Sequence, residues 1–291
     1  MSGIDGKTAA NLQKIANEIR KDIIRMTNRA GSGHPGGALG MADVLTALYF
    51  HILRHDPKRP DWPERDRLIL SNGHICPVLY ASLARSGYFP AEELVTLRQF
   101  GSRLQGHPER GHLPGIESAS GPLGAGLAQA VGLALAAKAD GAEWRPYCLT
   151  SDGEHDAGPH WEAVLFAGSR GIGNLTMLVD RNSIQLDGPT EKIMPLEPLA
   201  EKYRAFGWNV TEIDGHDFSQ VIGACEGARA VADRPTAVIC RTVLGKGVSF
   251  MENDHRWHGQ APNDEQAAQA LRELAPNPPS PSSDEGAHAN R

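Results

Sequence analysis

Short β-prone runs at residues 67–71, 147–150, 175–180, 209–213 and 236–241 are separated, for the most part, by helix-like segments. Those segments run to roughly ten to eighteen residues, enough for the crossover that a parallel strand pair requires. The alternation predicts an α/β fold: a mainly parallel sheet with helices on both faces. Ahead of the first strand, residues 8–29 place Leu12, Ile15, Ala16, Ile19, Ile23 and Ile24 at three- and four-residue spacings, the period of an amphipathic helix. Hydrophobic residues make up 40% of the 291, enough for a sizeable core. No repeat and no linker interrupts residues 8–275, so one domain is expected there, after an N-terminal extension of residues 1–7. The tail PNPPSPSSDEGAHANR, 276–291, is Pro- and Ser-rich without apolar periodicity and is expected to be disordered.

A net charge of −6 with no basic cluster argues against nucleic acid and anionic membrane surfaces as partners. The most apolar stretch, 123–137, is interrupted by Gln129 and falls short of the ~20 residues needed to span a bilayer. Cys76, Cys148, Cys225 and Cys240 are widely spaced and suggest neither a zinc site nor a disulfide framework. With no basic-then-apolar signal pattern at the N-terminus, a cytoplasmic location is expected.

Chemistry concentrates in a few loops. TSDGEHDAG, 150–158, gathers Asp152, Glu154 and Asp156 where a predicted strand ends. Gly-His occurs at 33–34, 73–74, 106–107, 111–112 and 215–216, against about one or two pairs for a random arrangement of the same composition. Glycine allows the backbone to approach a ligand, and imidazole supplies a donor, an acceptor or a proton shuttle. Turn glycines beside surface histidines are the plain alternative for any single pair. GPLGAG at 121–126 leads into an apolar helix, where its amides could face a phosphate or a ring; close helix packing through Gly124, Gly126 and Gly132 is the structural alternative. GKG at 245–247 is a further glycine-rich loop.

After Asp152-Gly153, 28 residues intervene before Asn182, which follows the next predicted strand. In a parallel α/β sheet the carboxyl ends of neighbouring strands lie side by side, so Asp152 and Asn182 are expected to converge where such folds bind ligands. A carboxylate, an amide oxygen and a backbone carbonyl are oxygen donors suited to magnesium or calcium.

SDG followed by NSIQLDG resembles the thiamine diphosphate signature, usually Gly-Asp-Gly with a distant Asn. The surrounding stretches resemble transketolase in family order: SGHPGG at 32–37, LSNGH at 70–74, QGHPE at 105–109, SGPLGAG at 120–126, DRNSIQLDG at 180–188 and the pair His258-Gly259. The resemblance covers roughly residues 8–275 and implies the diphosphate-binding domain of the thiamine diphosphate fold. It implies that Asp152, Asn182 and the Ile184 carbonyl hold Mg2+ (or Ca2+), and that the Gly153 amide, His74 and His258 meet the diphosphate. Gly121 and Leu123 would lie near the cofactor's rings, and Asn182 counts among the cofactor residues through the metal. His34, His107 and His258 would line the substrate channel and assist proton transfers, and Glu162 would order the metal-side network or a subunit interface. His51, His55 and His288 are expected to be surface residues.

The implied activity is transfer of a two-carbon ketol unit from a ketose phosphate to an aldose phosphate, in carbohydrate metabolism of the pentose phosphate type. The pyrimidine-binding domain that carries the cofactor-activating glutamate in this family has no counterpart in the chain. The resemblance therefore implies the N-terminal subunit of a split transketolase, paired two plus two with a C-terminal partner. A related enzyme using another sugar or a 2-oxo acid is one alternative. A non-catalytic cofactor-binding paralogue is another, prompted by Ser151 for the first motif glycine and Ala157 where the family carries glutamate.

Overall fold

The computed structural model describes residues 4–275, so the tail expected to be disordered, 276–291, lies outside the described residues. The chain begins with α1 (Gly6–Ala30), capped by Asp5, whose carboxylate accepts the Thr8 amide at 2.8 Å. This cap starts the helix inside the segment expected as an extension. Short helices α2 (Pro35–Gly40) and α3 (Ala42–Ala47) follow, then β1 (Arg67–Leu70), α4 (Cys76–Ser86), and α5 (Ala125–Ala139). Next come β2 (Pro146–Ser151), α6 (Gly158–Ser169), β3 (Thr176–Arg181), and a hairpin of β4 (Ile184–Gln185) and β5 (Gly188–Pro189). The remainder is α7 (Thr190–Ile193), α8 (Leu199–Ala205), β6 (Asn209–Asp214), α9 (Phe218–Ala230), β7 (Thr236–Arg241) and α10 (Asp264–Glu273).

The five long strands form one sheet in the order β1-β2-β3-β7-β6, every neighbouring pair parallel. Both faces are covered, so every residue of β2 and β3 is buried. The pleat splits each strand between two cores. Leu68, Tyr147, Leu149, Leu178 and Val238 face the side built with α1, α3, α4 and α9. Ile69, Cys148, Met177, Val179 and Ile239 face the side that receives α5, α6 and α8. In α1, Leu12, Ala16, Ile19, Ile23 and Ile24 are buried as their spacing predicts. The expected parallel α/β architecture is thus present, with strand ends within a residue of the predicted runs.

Between α4 and α5 the chain runs from Gly87 to Gly124 without a strand or an α-helix among these residues. So long an irregular stretch inside a compact fold is commonly functional, and this one carries His107 and Gly121.

Leu178, fully buried at the middle of the sheet, belongs to the core shared with α1, α3, α4 and α9. Leu178→Ala should destabilise the chain by ~2–5 kcal/mol. Urea denaturation measures this, and a change below ~1 kcal/mol would contradict the packing described.

Candidate functional site at the carboxyl edge of the sheet

Parallel register brings the loops of the motif residues to one edge. Ser151 pairs with Asp180, and Asp180 with Cys240, so the residues that follow β2, β3 and β7 emerge together. Ser71–His74 leave β1 beside them, the Ser71 amide donating to Leu149 O at 2.9 Å.

The three acids of the turn after β2 have three different surroundings. Asp152 is fully buried. Its Oδ2 accepts Arg181 Nη1 at 3.1 Å and the Ser183 amide, while Oδ1 is buried with no partner. Burial pushes its carboxyl up to about 7, against the lowering effect of Arg181 and with a further rise from Asp180. Glu154, also fully buried, accepts the Gly124 amide at 2.7 Å, the Ser71 hydroxyl and the Ser151 amide at 3.4 Å. Burial raises it to about 6. Asp156 is exposed and meets only Gln185 Nε2, at 3.4 Å.

Glu154 corrects one expectation. The amides at the start of α5 do not face an outside anion, because the Gly124 amide is held by Glu154 and the Gly126 amide by Ser71 Oγ at 3.0 Å. The carboxylate of the chain itself is the anion at this helix terminus. A Cβ at Gly124 would stand 2.8 Å from the Ala157 Cβ, so residue 157 packs directly on the GPLGAG turn. Neither neighbour replaces a glutamate there. Asp156 points outward, and His155 is buried, with Nδ1 at 2.8 Å from Ser151 O and Nε2 at 2.6 Å from the Tyr203 hydroxyl.

Asn182 precedes Ser183, whose amide donates to Asp152. The Asn182 side-chain nitrogen donates to Asp180 Oδ2 at 2.9 Å and its Oδ1 accepts the Ile184 amide at 2.9 Å. That leaves Oδ1 a second lone pair. Asp180 is fixed in turn by the Thr242 hydroxyl, and burial raises it to about 6. Among the described residues no group of three His, Cys, Asp or Glu side chains could hold a metal, so a cation here depends on mixed oxygen donors. The bare, buried Asp152 Oδ1, the Asn182 Oδ1 and a backbone carbonyl from Ile184 suit such a hard cation. Gly153 lies at the same turn, and a Cβ there would meet the Gln185 Cβ at 3.3 Å.

Three of the expected histidines converge. Ring centroids are 5.2 Å apart for His34 and His74, 5.7 Å for His34 and His258, and 5.1 Å for His74 and His258, the last pair stacked. His107 lies alongside, 3.7 Å from where a Cβ of Gly121 would be. Gly73 makes the approach possible: a Cβ there would come within 2.3 Å of Ser120 Oγ. Burial lowers His34 to about 4 and His74 to about 3, and lowers His107 and His258 as well. His34 and His74 are thus neutral near pH 7, and burial favours the neutral form of the other two rings. Leu123 projects outward, 42% exposed.

Other expectations sort differently. His112 is exposed, whereas His216 is a structural clamp, Nδ1 on Asp43 Oδ2 at 2.7 Å and Nε2 accepting the Val243 amide at 2.9 Å. His51 is exposed as expected. His55 instead stacks on Tyr88 and bonds Tyr49 O at 2.7 Å, and His288 lies outside the described residues. Glu162 is exposed on α6, which fits the subunit-interface alternative rather than a metal-side network. Reading the sequence missed Arg98, which spans two motifs by donating to Ser32 Oγ at 2.7 Å and Gly106 O at 3.4 Å, with Nη2 3.5 Å from His34 Nδ1. It also missed Arg181. Arg181 lies within DRNSIQLDG and Arg98 shortly ahead of QGHPE, but no local pattern indicates which partners they meet.

Residues 11–283 match the family model described as transketolase, thiamine diphosphate binding domain. The chain is similar to a 6-deoxy-6-sulfo-D-fructose transketolase subunit from Clostridium sp. (strain MSTE9), 44% identical over 91% of this chain and 96% of that protein. It is similar to a subunit of the apulose-4-phosphate transketolase of Phocaeicola vulgatus, 40% identical over 88% of this chain and 91% of that one. Among solved structures, the transketolases of Leishmania mexicana (34% identity, TM-score 0.86) and Campylobacter jejuni (37%, TM-score 0.86) each superpose on 92% of this chain. The chain spans only 42% and 43% of the length of those two.

The neutral rings set a pH dependence. An unfolded chain binds protons on these histidines below about 6.5, whereas folded His34 and His74 stay neutral down to their lowered values. The unfolded state then holds more protons, so this contribution to stability is complete above about 6.5 and is lost as pH falls toward 4. The buried carboxylates act with the opposite sign, so the comparison must be with a variant. Melting temperature from pH 7.5 to 4.5 should fall less steeply in the His34→Gln, His74→Gln double variant than in the wild type. Parallel curves would show that these rings do not contribute.

Proposed function

The chain belongs to the transketolase family, and from that premise we propose that it is the N-terminal subunit of a two-part, thiamine diphosphate-dependent transketolase. One observation carries the reading. The chain covers 96% and 91% of two relatives that are themselves named as subunits, but less than half of the transketolase chains of known structure. The enzyme is a transferase that moves a two-carbon ketol unit from a ketose phosphate to an aldose phosphate. A second reading, that the sugars are more specialised, is favoured by the names of those two relatives, which carry 6-deoxy-6-sulfo-D-fructose and apulose 4-phosphate.

Bound thiamine diphosphate supplies the carbanion chemistry that makes such transfers accessible. This chain's residues hold and orient it. Asp152 through Oδ1, Asn182 and the Ile184 carbonyl hold Mg2+ (or Ca2+), supported by the one buried carboxylate oxygen left without a partner among the described residues. The Gly153 amide, His74 and His258 meet the diphosphate, and Gly121 and Leu123 border the cofactor's rings. His34, His107 and His258 line the substrate channel. A neutral imidazole accepts at one ring nitrogen and donates an N–H from the other, so these rings can orient and polarise sugar hydroxyls near neutral pH.

The partner subunit supplies the pyrimidine and C-terminal domains, in an assembly of two plus two. Exposed apolar pairs at Leu165–Phe166 on α6 and Ile193–Met194 at the end of α7 support an interface of this kind, since exposed apolar surface marks association sites. A cytoplasmic setting is supported by four buried cysteines, all unpaired. Among the described residues no helix is long and apolar enough to cross a membrane.

Two outcomes test the assignment. The purified chain by itself should show no measurable ketol transfer and should gain it when mixed with a pyrimidine-domain partner; turnover by the single chain, shown free of other protein by mass spectrometry, would refute this. Asp152→Ala should abolish Mg2+-dependent cofactor binding by the partnered complex in calorimetric titration while circular dichroism stays unchanged. Wild-type affinity in that variant would remove Asp152 from the site.

A further inference from the structure

Arg181 ends β3 between Asp180 and Asn182, and its side chain is only 2% exposed. A guanidinium carries five N–H donors in a fixed plane. All five are in use. Nη1 donates to Asp152 Oδ2 at 3.1 Å and Thr190 Oγ1 at 2.9 Å, Nη2 to Glu191 Oε1 at 2.9 Å and Glu197 Oε1 at 3.0 Å, and Nε to Glu197 Oε1 at 3.3 Å.

These contacts close a ring. Asp152 Oδ2 also accepts the Ser183 amide, Ser183 O accepts the Thr190 amide at 3.0 Å, and the Thr190 hydroxyl returns to Arg181. The ring brackets residues 182–190, the segment that contains Asn182, Ile184 and the hairpin of β4 and β5. With Oδ2 engaged twice, the Asp152 carboxylate cannot swing without breaking both bonds, and Oδ1 remains its free acceptor.

A cationic side chain beside a metal site would ordinarily repel the metal. Here Arg181 contacts Asp152, Glu191 and Glu197. The second cation of the cluster, Arg241, contacts Glu197 and is matched by Glu212, so acidic groups outnumber basic ones around the loop and the field still favours a dication. Ligand carboxylates are commonly oriented by such outer hydrogen bonds, whose loss typically costs about 10–100-fold in metal affinity.

We propose that Arg181 is a positioning residue for the cation that serves the diphosphate: it presents Asp152 Oδ1 and pins the loop bearing Asn182 and the Ile184 carbonyl. The inference rests on the reading of Asp152, Asn182 and Ile184 as metal ligands. It extends that reading by linking the ligands to the Thr190–Glu197 segment, which also carries exposed Ile193 and Met194.

The test is a Mg2+ titration at fixed thiamine diphosphate on the partnered complex, followed by calorimetry, for wild type, Asp152→Ala, Arg181→Met and Arg181→Lys. Arg181→Met should weaken the apparent Mg2+ affinity about 10–100-fold, with saturation recovered at high Mg2+. Arg181→Lys keeps the charge but not the planar fork, and should fall between Arg181→Met and wild type. Melting of the metal-free chain separates a stability defect from a positioning one. A lowered melting temperature with unchanged Mg2+ affinity would overturn the proposal. If Arg181→Met does not fold, Arg181→Lys decides: wild-type affinity overturns the proposal and a loss of at least about fivefold supports it. Wild-type Mg2+ dependence in Asp152→Ala would instead mean that the ligand reading itself is wrong.

Discussion

The parallel pairing of β2 with β3 puts Ser151 opposite Asp180, and the site is built from what that register brings together. Both strands run the same way, so their following loops leave the sheet at the same height. Asp152 and the Ser183 amide can then bond although 31 positions separate them. A shift of one residue would turn Asp180 and its neighbours to the opposite face of the sheet. Burial of both faces prevents the shift, because Leu149 and Leu178 belong to one core, and Cys148 and Val179 to the other.

The edge so formed is both charged and dry. Asp152, Glu154 and Asp180 are each almost fully withdrawn from water, and burial raises all three carboxyls. Each oxygen of these three carboxylates is engaged by a donor except Asp152 Oδ1. In a low-dielectric site an unmet acceptor is costly and a matched cation is strongly held, for the same physical reason. The histidines follow the reverse logic: burial disfavours their charged form, so three rings can sit with centroids no more than 5.7 Å apart without repelling.

Adjacent residues of the acidic turn serve different ends because each faces a different neighbour. Asp152 looks toward the loop after β3, Glu154 toward the start of α5, His155 toward Tyr203, and Asp156 toward solvent. A short 3-10 helix over Asp152–Asp156 spreads the side chains in this way. Spacing alone shows that three acids are close in sequence; it does not show that only one has a free oxygen. The Gly-His pairs divide likewise. Those at 33–34, 73–74 and 106–107 reach the site, whereas His216 is drawn into a clamp on Asp43 that lies 173 positions away.

From the sequence by itself came the strand and helix pattern, hence the parallel α/β architecture, the convergence of Asp152 and Asn182 at one sheet edge, and the placement of the glycine-flanked histidines on loops. Those are properties of local periodicity and of motif order, which a linear string records. The tertiary structure alone decided the occupants of each hydrogen bond. It assigned Glu154 to the amide of Gly124, stacked His55 against Tyr88, left Glu162 on the surface, and engaged every donor of Arg181. Such choices depend on which donors and acceptors packing brings within about 3 Å of each other, and that proximity between residues distant along the chain is created only when the sheet and its two cores have closed.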